Sequence, residues 1–331
     1  MIAVTGANGL LGSFIVRRLI DEGEPFIALK RTGSDVSLLH DVQEKITWRE
    51  ADVLDPFALE EAFEGVDIVI HTAAMVSFNP RLTDQLFQVN VTGTRNVVNA
   101  CLASGVKKLV HISSVAALGR TREQSFIDEH QKWTDNPLNS TYAQSKYLAE
   151  LEVFRGLEEG LDCVLLNPSV ILAPADWMKS SAKLFKYVWD EKKFLINNHL
   201  NYVDARDVAY AAHRLLNHQA TGQRFILNAG NISLDQFFAK IATRFGKKAP
   251  TIQVNGSILH ALAAAEALRS RITRSEPLIT SETARLANTQ FLYRNEKIKR
   301  HLQFDFQTID QTLDWCCKYY LERASEAQKM K

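Results

Sequence analysis

Apolar residues along the chain fall into short unbroken runs, separated by longer stretches with helical spacing. The runs at 2–5, 26–29, 46–48, 67–70, 109–112 and 163–166 are β-rich and continuous rather than alternating, as strands covered on both faces require. After the first run, Leu11, Ile15 and Leu19 mark one stripe of a helix. Farther on, Asp55 followed by Pro56 supplies a cap and a first helical residue. Strand, helix, strand in repetition predicts an α/β fold, a Rossmann-type doubly wound parallel sheet. The stretch 82–104 is apolar on most of its faces (Leu86, Val89, Val97 and Cys101 among them), more than one sheet contact needs, so burial against a partner subunit is expected.

After Pro168 the alternation lapses into Ala173-Pro174-Ala175 and an aromatic-rich stretch with Trp177, Phe185, Tyr187 and Trp189. A helix over 204–218 and a strand over 224–228 are expected to return to the sheet. Residues from 233 onward read as mostly helical, with a polar tail from Arg323. The expected division is therefore a dinucleotide-binding unit, 1–170 with 204–230. A smaller, mostly helical substrate-binding region, 171–203 and 231–331, lies to its C-terminal side.

Composition narrows the function classes. Hydrophobic residues make up 46% and charged residues 23%, which excludes disorder as the main state. Lys plus Arg is 39 against 38 for Asp plus Glu, so no global field favours nucleic acid as a partner. Four cysteines, two of them adjacent (Cys316 and Cys317), do not make a disulfide framework, and a cytoplasmic setting is expected. The first residues do not read as a signal peptide, and no apolar run approaches the ~18–20 residues that span a bilayer.

Three motifs carry chemistry. Between the first strand and the first helix stands Thr5-Gly6-Ala7-Asn8-Gly9-Leu10-Leu11-Gly12, where glycines allow a sharp turn and a close approach to a pyrophosphate at a helix N-terminus. The second strand ends in Lys30-Arg31 rather than in an acid. Arg31 can grip a ribose 2′-phosphate bidentately, and along the chain no carboxylate competes until Asp35. NADP(H) is therefore preferred, with NAD(H) still possible; the competing reading of Lys30-Arg31 is a solvated basic turn. Tyr-x-x-x-Lys occurs twice, at Tyr142/Lys146 and at Tyr293/Lys297. The first pair follows the fifth strand, which ends in Ser113-Ser114, and one helical turn stacks the two side chains so that the ammonium favours the tyrosinate. The second pair lacks those neighbours and reads as a surface-helix feature. His71 and His111 read as core histidines, and His213 and His218 lack zinc spacing, so no metal is expected.

With these motifs, and with Asn90-Val91-Thr92-Gly93-Thr94, the chain resembles the extended short-chain dehydrogenase/reductases, the NAD-dependent epimerase/dehydratase superfamily, over about residues 2–212. It is most similar to the dihydroflavonol 4-reductase and 3β-hydroxysteroid dehydrogenase relatives. The resemblance implies an oxidoreductase in which Ser114, rather than Ser113, joins Tyr142 and Lys146 as the catalytic set. Tyr142 would exchange the proton at the substrate oxygen, Ser114 would bond that oxygen, and Lys146 would hold the nicotinamide ribose and lower the tyrosine pKa. The same resemblance assigns cofactor binding to Gly6, Ala7, Asn8, Gly9, Leu10, Leu11 and Arg31, to Asp52 and Val53 at the adenine, and to Thr72, Ala73 and Ala74. Asn90 would orient the catalytic set or kink its helix, and a homodimer would form through 82–104 and 142–157.

Three functions compete: an NADP-dependent reductase of a hydrophobic ketone or aldehyde, a nucleotide-sugar 4-epimerase, and a non-catalytic NADP-binding regulator. The regulator would be expected to lose Tyr142 and Lys146. Sugar-nucleotide dehydratases carry Asp-Glu where this chain has Ser114-Val115. The epimerases' diphosphate-gripping Arg is replaced by Leu200, which weakens a diphosphate by about 1.5–3 kcal/mol unless Arg206 or Lys183 substitutes. Residues 75–78 and 177–189 are the candidate pocket stretches, apolar and aromatic in character, although Trp177, Phe185, Tyr187 and Trp189 also read as core residues.

Overall fold

A computed structural model of the chain describes residues 1–120, 126–177, 180–254 and 291–329. The expected apolar runs become β1 (Ile2–Thr5), β2 (Phe26–Lys30), β3 (Thr47–Glu50), β4 (Ile68–His71) and β5 (Lys108–Ile112). Beyond them come the two-residue β6 (Phe126–Ile127), then β7 (Asp162–Pro168), β8 (Val170–Leu172), β9 (Phe194–Ile196) and β10 (His199–Asp204). The last four described strands are β11 (Arg224–Leu227), β12 (Gly230–Ser233), β13 (Ile252–Val254) and β14 (Leu292–Tyr293). Seven of them form one sheet in the order β11-β7-β5-β4-β1-β2-β3, with every pairing parallel. The order reverses direction at β1, the switch point where an open α/β sheet leaves a crevice for a ligand.

The helices are α1 (Leu10–Asp21), α2 (Pro56–Ala62), α3 (Thr83–Phe87), α4 (Gly93–Ala103) and α5 (Thr141–Glu158). They continue as α6 (Ala182–Trp189), α7 (Ala205–Arg214), α8 (Leu234–Phe245), α9 (Glu296–Leu302) and α10 (Ile309–Lys329). Both sheet faces are covered. Ile2 and Val4 enter the core beneath α1 and α7, while Ala3 between them enters the core beneath α2, α4 and α5. This is why the strands read as continuous apolar runs. Among the described residues, no helix is long and apolar enough to cross a membrane.

The expected 82–104 helix is divided. A 3₁₀ turn (Pro80–Leu82) leads into α3, a π-helical turn (Gln88–Thr92) follows, and α4 completes the segment. Much of its apolar surplus is absorbed within the subunit: Leu86, Val97, Val98 and Cys101 are buried, and Val98 packs where a Cβ at Gly156 of α5 would stand, while Phe87, Val89, Val91 and Leu102 stay half-buried. The aromatic stretch also turns inward. Trp177 stacks on Tyr320 at 4.0 Å, Tyr187 on Phe238, and Phe185 is fully buried with α8 and α10 around it. That stretch builds a third core, the core reading of its aromatics rather than the pocket one. Part of the expected C-terminal helical stretch, 255–290, lies outside the described residues.

The third core docks onto the sheet through Asp204 and Asp207 at the start of α7. Asp207 is buried and accepts the Gln307 N–H at 2.9 Å. Burial pushes its pKa up to about 7, the Gln307 bond pulls it down, and Asp204 adds to the rise. Between the ordinary carboxylate range and pH 7 the folded state thus holds a proton that the unfolded chain releases, so this group's contribution falls as pH rises through that window. Asp207→Asn, which still accepts the bond, is expected to melt higher than the parent at pH 8 and to lose that advantage by about pH 4. An equal melting difference at both pH values would contradict this reading.

Candidate active site

The loop after β1 is shaped by contacts that only glycine permits. Gly6 has φ 66°, and a Cβ there would lie 2.7 Å from the backbone N and Cα of Ala73 in the loop after β4. A Cβ at Gly12 would overlap the Gly6 carbonyl oxygen. Gly9 occupies the N-cap of α1 without a side-chain cap, and the first helical turn carries no acid. The leading N–H groups of α1 thus meet neither a capping oxygen nor a repelling carboxylate, and this end suits a pyrophosphate.

Neighbouring residues are fixed around that cradle. Thr72 Oγ1 donates to the Thr5 carbonyl at 2.6 Å, Asp52 accepts the Leu54 N–H, and the Val53 carbonyl accepts from Asn96 on α4. Arg31 is exposed beyond β2 and lines a cleft of about 520 Å³ with Thr32, Ser34, Glu50 and Asp52. Glu50 was not foreseen there. The β2–β3 register sets it opposite Lys30, and it accepts from Thr32 Oγ1 at 2.7 Å. A carboxylate does therefore stand near Arg31, on the adjacent strand rather than along the chain, and Lys30 Nζ lies 3.9 Å from it.

Ser114 follows β5 as the N-cap of a 3₁₀ turn (Val115–Leu118), its Oγ accepting the Ala116 N–H at 3.2 Å. Across from it, Ser140 caps α5 by accepting the Ala143 N–H, which places Tyr142 in the first turn and Lys146 one turn on. Tyr142 is hydrogen-bonded to Ser114. Ser113 is instead buried, with no side-chain partner among the described residues. Burial pushes the Tyr142 pKa up and the Ser114 bond pulls it back, so the tyrosine stands above its ordinary value, which corrects the expectation that Lys146 lowers it. Lys146 is 2% exposed and donates to the Ile112 carbonyl at 3.0 Å. Burial brings its pKa down to about 8, with Glu150 opposing.

Two buried histidines lie beneath. Burial first and the Lys146 charge second hold His71 at about 3 and His111 well below its ordinary value, so both rings are neutral. His71 bonds Thr5 Oγ1 at 2.7 Å and Thr94 Oγ1 at 3.1 Å, a core role. Asn90 sits on the π-helical turn and is buried. It accepts the Met75 N–H at 2.7 Å while donating to Met75 O and to Ser145 Oγ on α5. It both braces the loop after β4 and marks the π-turn. At the mouth, the Phe78 ring lies edge-on to Tyr142 at 5.9 Å.

The second Tyr-x-x-x-Lys does not lie on one helix, which corrects the surface-helix expectation. Tyr293 is on β14 and buried, whereas Lys297 lies on α9 and donates to the Arg224 carbonyl at 2.8 Å. Arg206 is also committed. It pairs with buried Asp204 at 2.7 Å and lies 4.1 Å over the Trp315 ring. Leu200, expected from the sequence to replace a diphosphate-gripping Arg, is buried.

Residues 2–230 match the NAD dependent epimerase/dehydratase family. The chain is 32% identical over 254 residues to a putative dihydroflavonol 4-reductase of Synechocystis, covering 75% of this chain and 73% of that one. Among solved structures it is similar to gox2253, with a TM-score of 0.81 and 28% identity over 96% of this chain and 98% of that one. The fold is shared with a UDP-glucose 4-epimerase of Thermotoga maritima, with a TM-score of 0.80 and 18% identity over 98% and 99% of the two chains. The chain belongs to the NAD dependent epimerase/dehydratase family and is an NAD(P)-dependent oxidoreductase of the extended short-chain dehydrogenase/reductase type.

Proposed function

We propose that the chain reduces a hydrophobic ketone or aldehyde with NADPH, or oxidises the corresponding alcohol, and that Ser114, Tyr142 and Lys146 carry the reaction. The observation that carries this reading is that Leu200 is buried and Arg206 is tied to Asp204 and Trp315, which leaves, among the described residues, exposed Lys183 on α6 as the one named cation still open to a diphosphate. A nucleotide sugar would leave its phosphates poorly matched there. Exposed Val76 and part-exposed Phe78 beside Tyr142 favour an apolar substrate instead. The relative named as a putative dihydroflavonol 4-reductase supports the same direction.

When bound, NADPH supplies a hydride to the carbonyl carbon. The glycine cradle and the N–H groups of α1 would hold its pyrophosphate, Arg31 its 2′-phosphate, and Tyr142 with Lys146 its nicotinamide ribose. Tyr142 donates its hydroxyl proton to the carbonyl oxygen, and Ser114 Oγ donates a hydrogen bond to the same oxygen. The Lys146 ammonium stabilises the tyrosinate that results. Phe78 keeps water from the bonded oxygen.

The deciding trial sets a panel of aromatic and alicyclic carbonyl compounds against UDP- and dTDP-sugars. NADPH-linked reduction within the panel supports the reductase. Interconversion of a nucleotide sugar without net NADPH use, with no reduction across the panel, would make the epimerase the better reading. Cofactor choice is tested at Arg31. Arg31→Ala is expected to weaken NADPH binding about 10- to 100-fold and to leave NADH unchanged. Equal parent affinities for the two cofactors would remove the argument. For assembly we propose a homodimer through α4 and α5, where Leu151 is 44% exposed. A monomer mass by sedimentation at micromolar concentration would contradict it.

A further inference from the structure

Glu150 lies one turn beyond Lys146 on α5 and is 0% exposed, although no step of the proposed reaction uses it. An isolated carboxylate is costly to bury unless cations and donors surround it. Here Arg224 Nη2 of β11 donates to one carboxylate oxygen at 2.6 Å, and Asn167 Nδ2 of β7 donates to the other at 2.6 Å. The same Asn167 amide donates to the Ser114 backbone carbonyl at 2.8 Å. A line of hydrogen bonds thus joins the helix that carries Tyr142 and Lys146 to the peptide that carries Ser114.

The charges around Lys146 give the carboxylate a second effect. His71 of β4 and His111 of β5 face the ammonium, and both are neutral. Tyr142, one turn earlier on the same helix, is protonated at neutral pH. Glu150 supplies the negative charge that favours the protonated lysine, and Arg224 on β11 offsets part of it.

We propose that Glu150 is a positioning residue for the Ser114, Tyr142 and Lys146 site: it sets a carboxylate one helical turn from Lys146 and, through Asn167, fixes the Ser114 peptide against α5. The inference rests on the reaction proposed above and deepens it. An apolar side chain at 150 would serve packing as well as an ion pair does. What it would not supply is a charge facing Lys146 and a link to Ser114.

The test is Glu150→Gln in the full chain, which keeps the size and removes the charge. The Lys146 ammonium is followed by side-chain NMR, its signal identified by its loss in Lys146→Met. Its titration midpoint is expected to fall by about one pH unit. The alkaline limb of the reduction rate should move the same way, because the coupled tyrosine and lysine lose their first proton earlier. A Glu150 that served stability alone would lower the melting temperature and leave both midpoints in place, and that result would overturn the proposal. A second variant, Asn167→Ala, leaves both charges standing. It is expected to lower kcat about tenfold with substrate KM unchanged. Parent kcat in Asn167→Ala would overturn the link to Ser114, even if Glu150→Gln fails to fold. The NMR midpoint needs no turnover, so it reads Glu150 even if an active Tyr142→Phe were to move the chemistry elsewhere.

Discussion

Exchanging Tyr142 for Phe is expected to lower turnover by about 10²- to 10⁴-fold while leaving NADPH binding close to that of the parent. The substitution removes one hydroxyl and leaves Lys146 to hold the nicotinamide ribose. The glycine loop lies on other elements, and the bond of Lys146 to the Ile112 carbonyl does not involve Tyr142. The Phe78 ring would still meet an aromatic face at position 142. What disappears is the proton donor at the substrate oxygen. Ser114 remains as a hydrogen-bond donor, but an aliphatic hydroxyl is a far weaker acid than a phenol. Because burial holds the Tyr142 pKa above its ordinary value, the parent site is protonated through the neutral range and ready for reduction. Turnover is measured by NADPH absorbance and binding by fluorescence titration. Near-parent turnover in Tyr142→Phe would remove Tyr142 from the chemistry.

Much of this site could be read from the chain because its parts are local. The glycine loop needs its glycines within one turn of each other and the Tyr142/Lys146 pair needs one helical turn, so spacing points to both, and the preceding strand with its Ser113-Ser114 end separates this pair from Tyr293/Lys297. The strands were legible for a related reason. Ile2, Ala3 and Val4 alternate between two cores, and both cores demand apolar residues. What escaped depends on lateral pairing. Glu50 stands 19 positions after Arg31, and only the β2–β3 register brings it into the cleft. The Glu150, Asn167 and Arg224 cluster draws on α5, β7 and β11. Its single local signal is the four-residue step from Lys146 to Glu150, which is common on helices. The π-turn at Asn90 left no periodic trace, because one inserted residue shifts the apolar stripe without ending it. Tyr293 and Lys297 show the converse: identical spacing to the first pair, but with the chain leaving a strand before the helix begins.

Gly12→Ala is expected to impair both the fold and cofactor binding, although Ala is the better helix former by about 1 kcal/mol. Gly12 sits in the first turns of α1, and the new methyl group would overlap the Gly6 carbonyl oxygen and lie 2.8 Å from Ala7 Cα. Both neighbours are backbone, so no side chain can swing aside. Gly6 cannot retreat, because on its other side the loop after β4 already stands where a Cβ of its own would be, 2.7 Å from Ala73. The loop is therefore clamped between α1 and the β4 loop, and relief comes only by lifting α1 away. That displaces Ile15, Val16 and Leu19 from the core they share with β1. Overpacking of this kind costs about 1–3 kcal/mol, more than the helix-propensity gain returns. It also turns the leading N–H groups of α1 away from the pyrophosphate position, so NADPH affinity is expected to fall with stability. A Gly12→Ala variant with parent melting temperature and parent NADPH affinity would show that the glycine cradle is not what brings α1 to the cofactor.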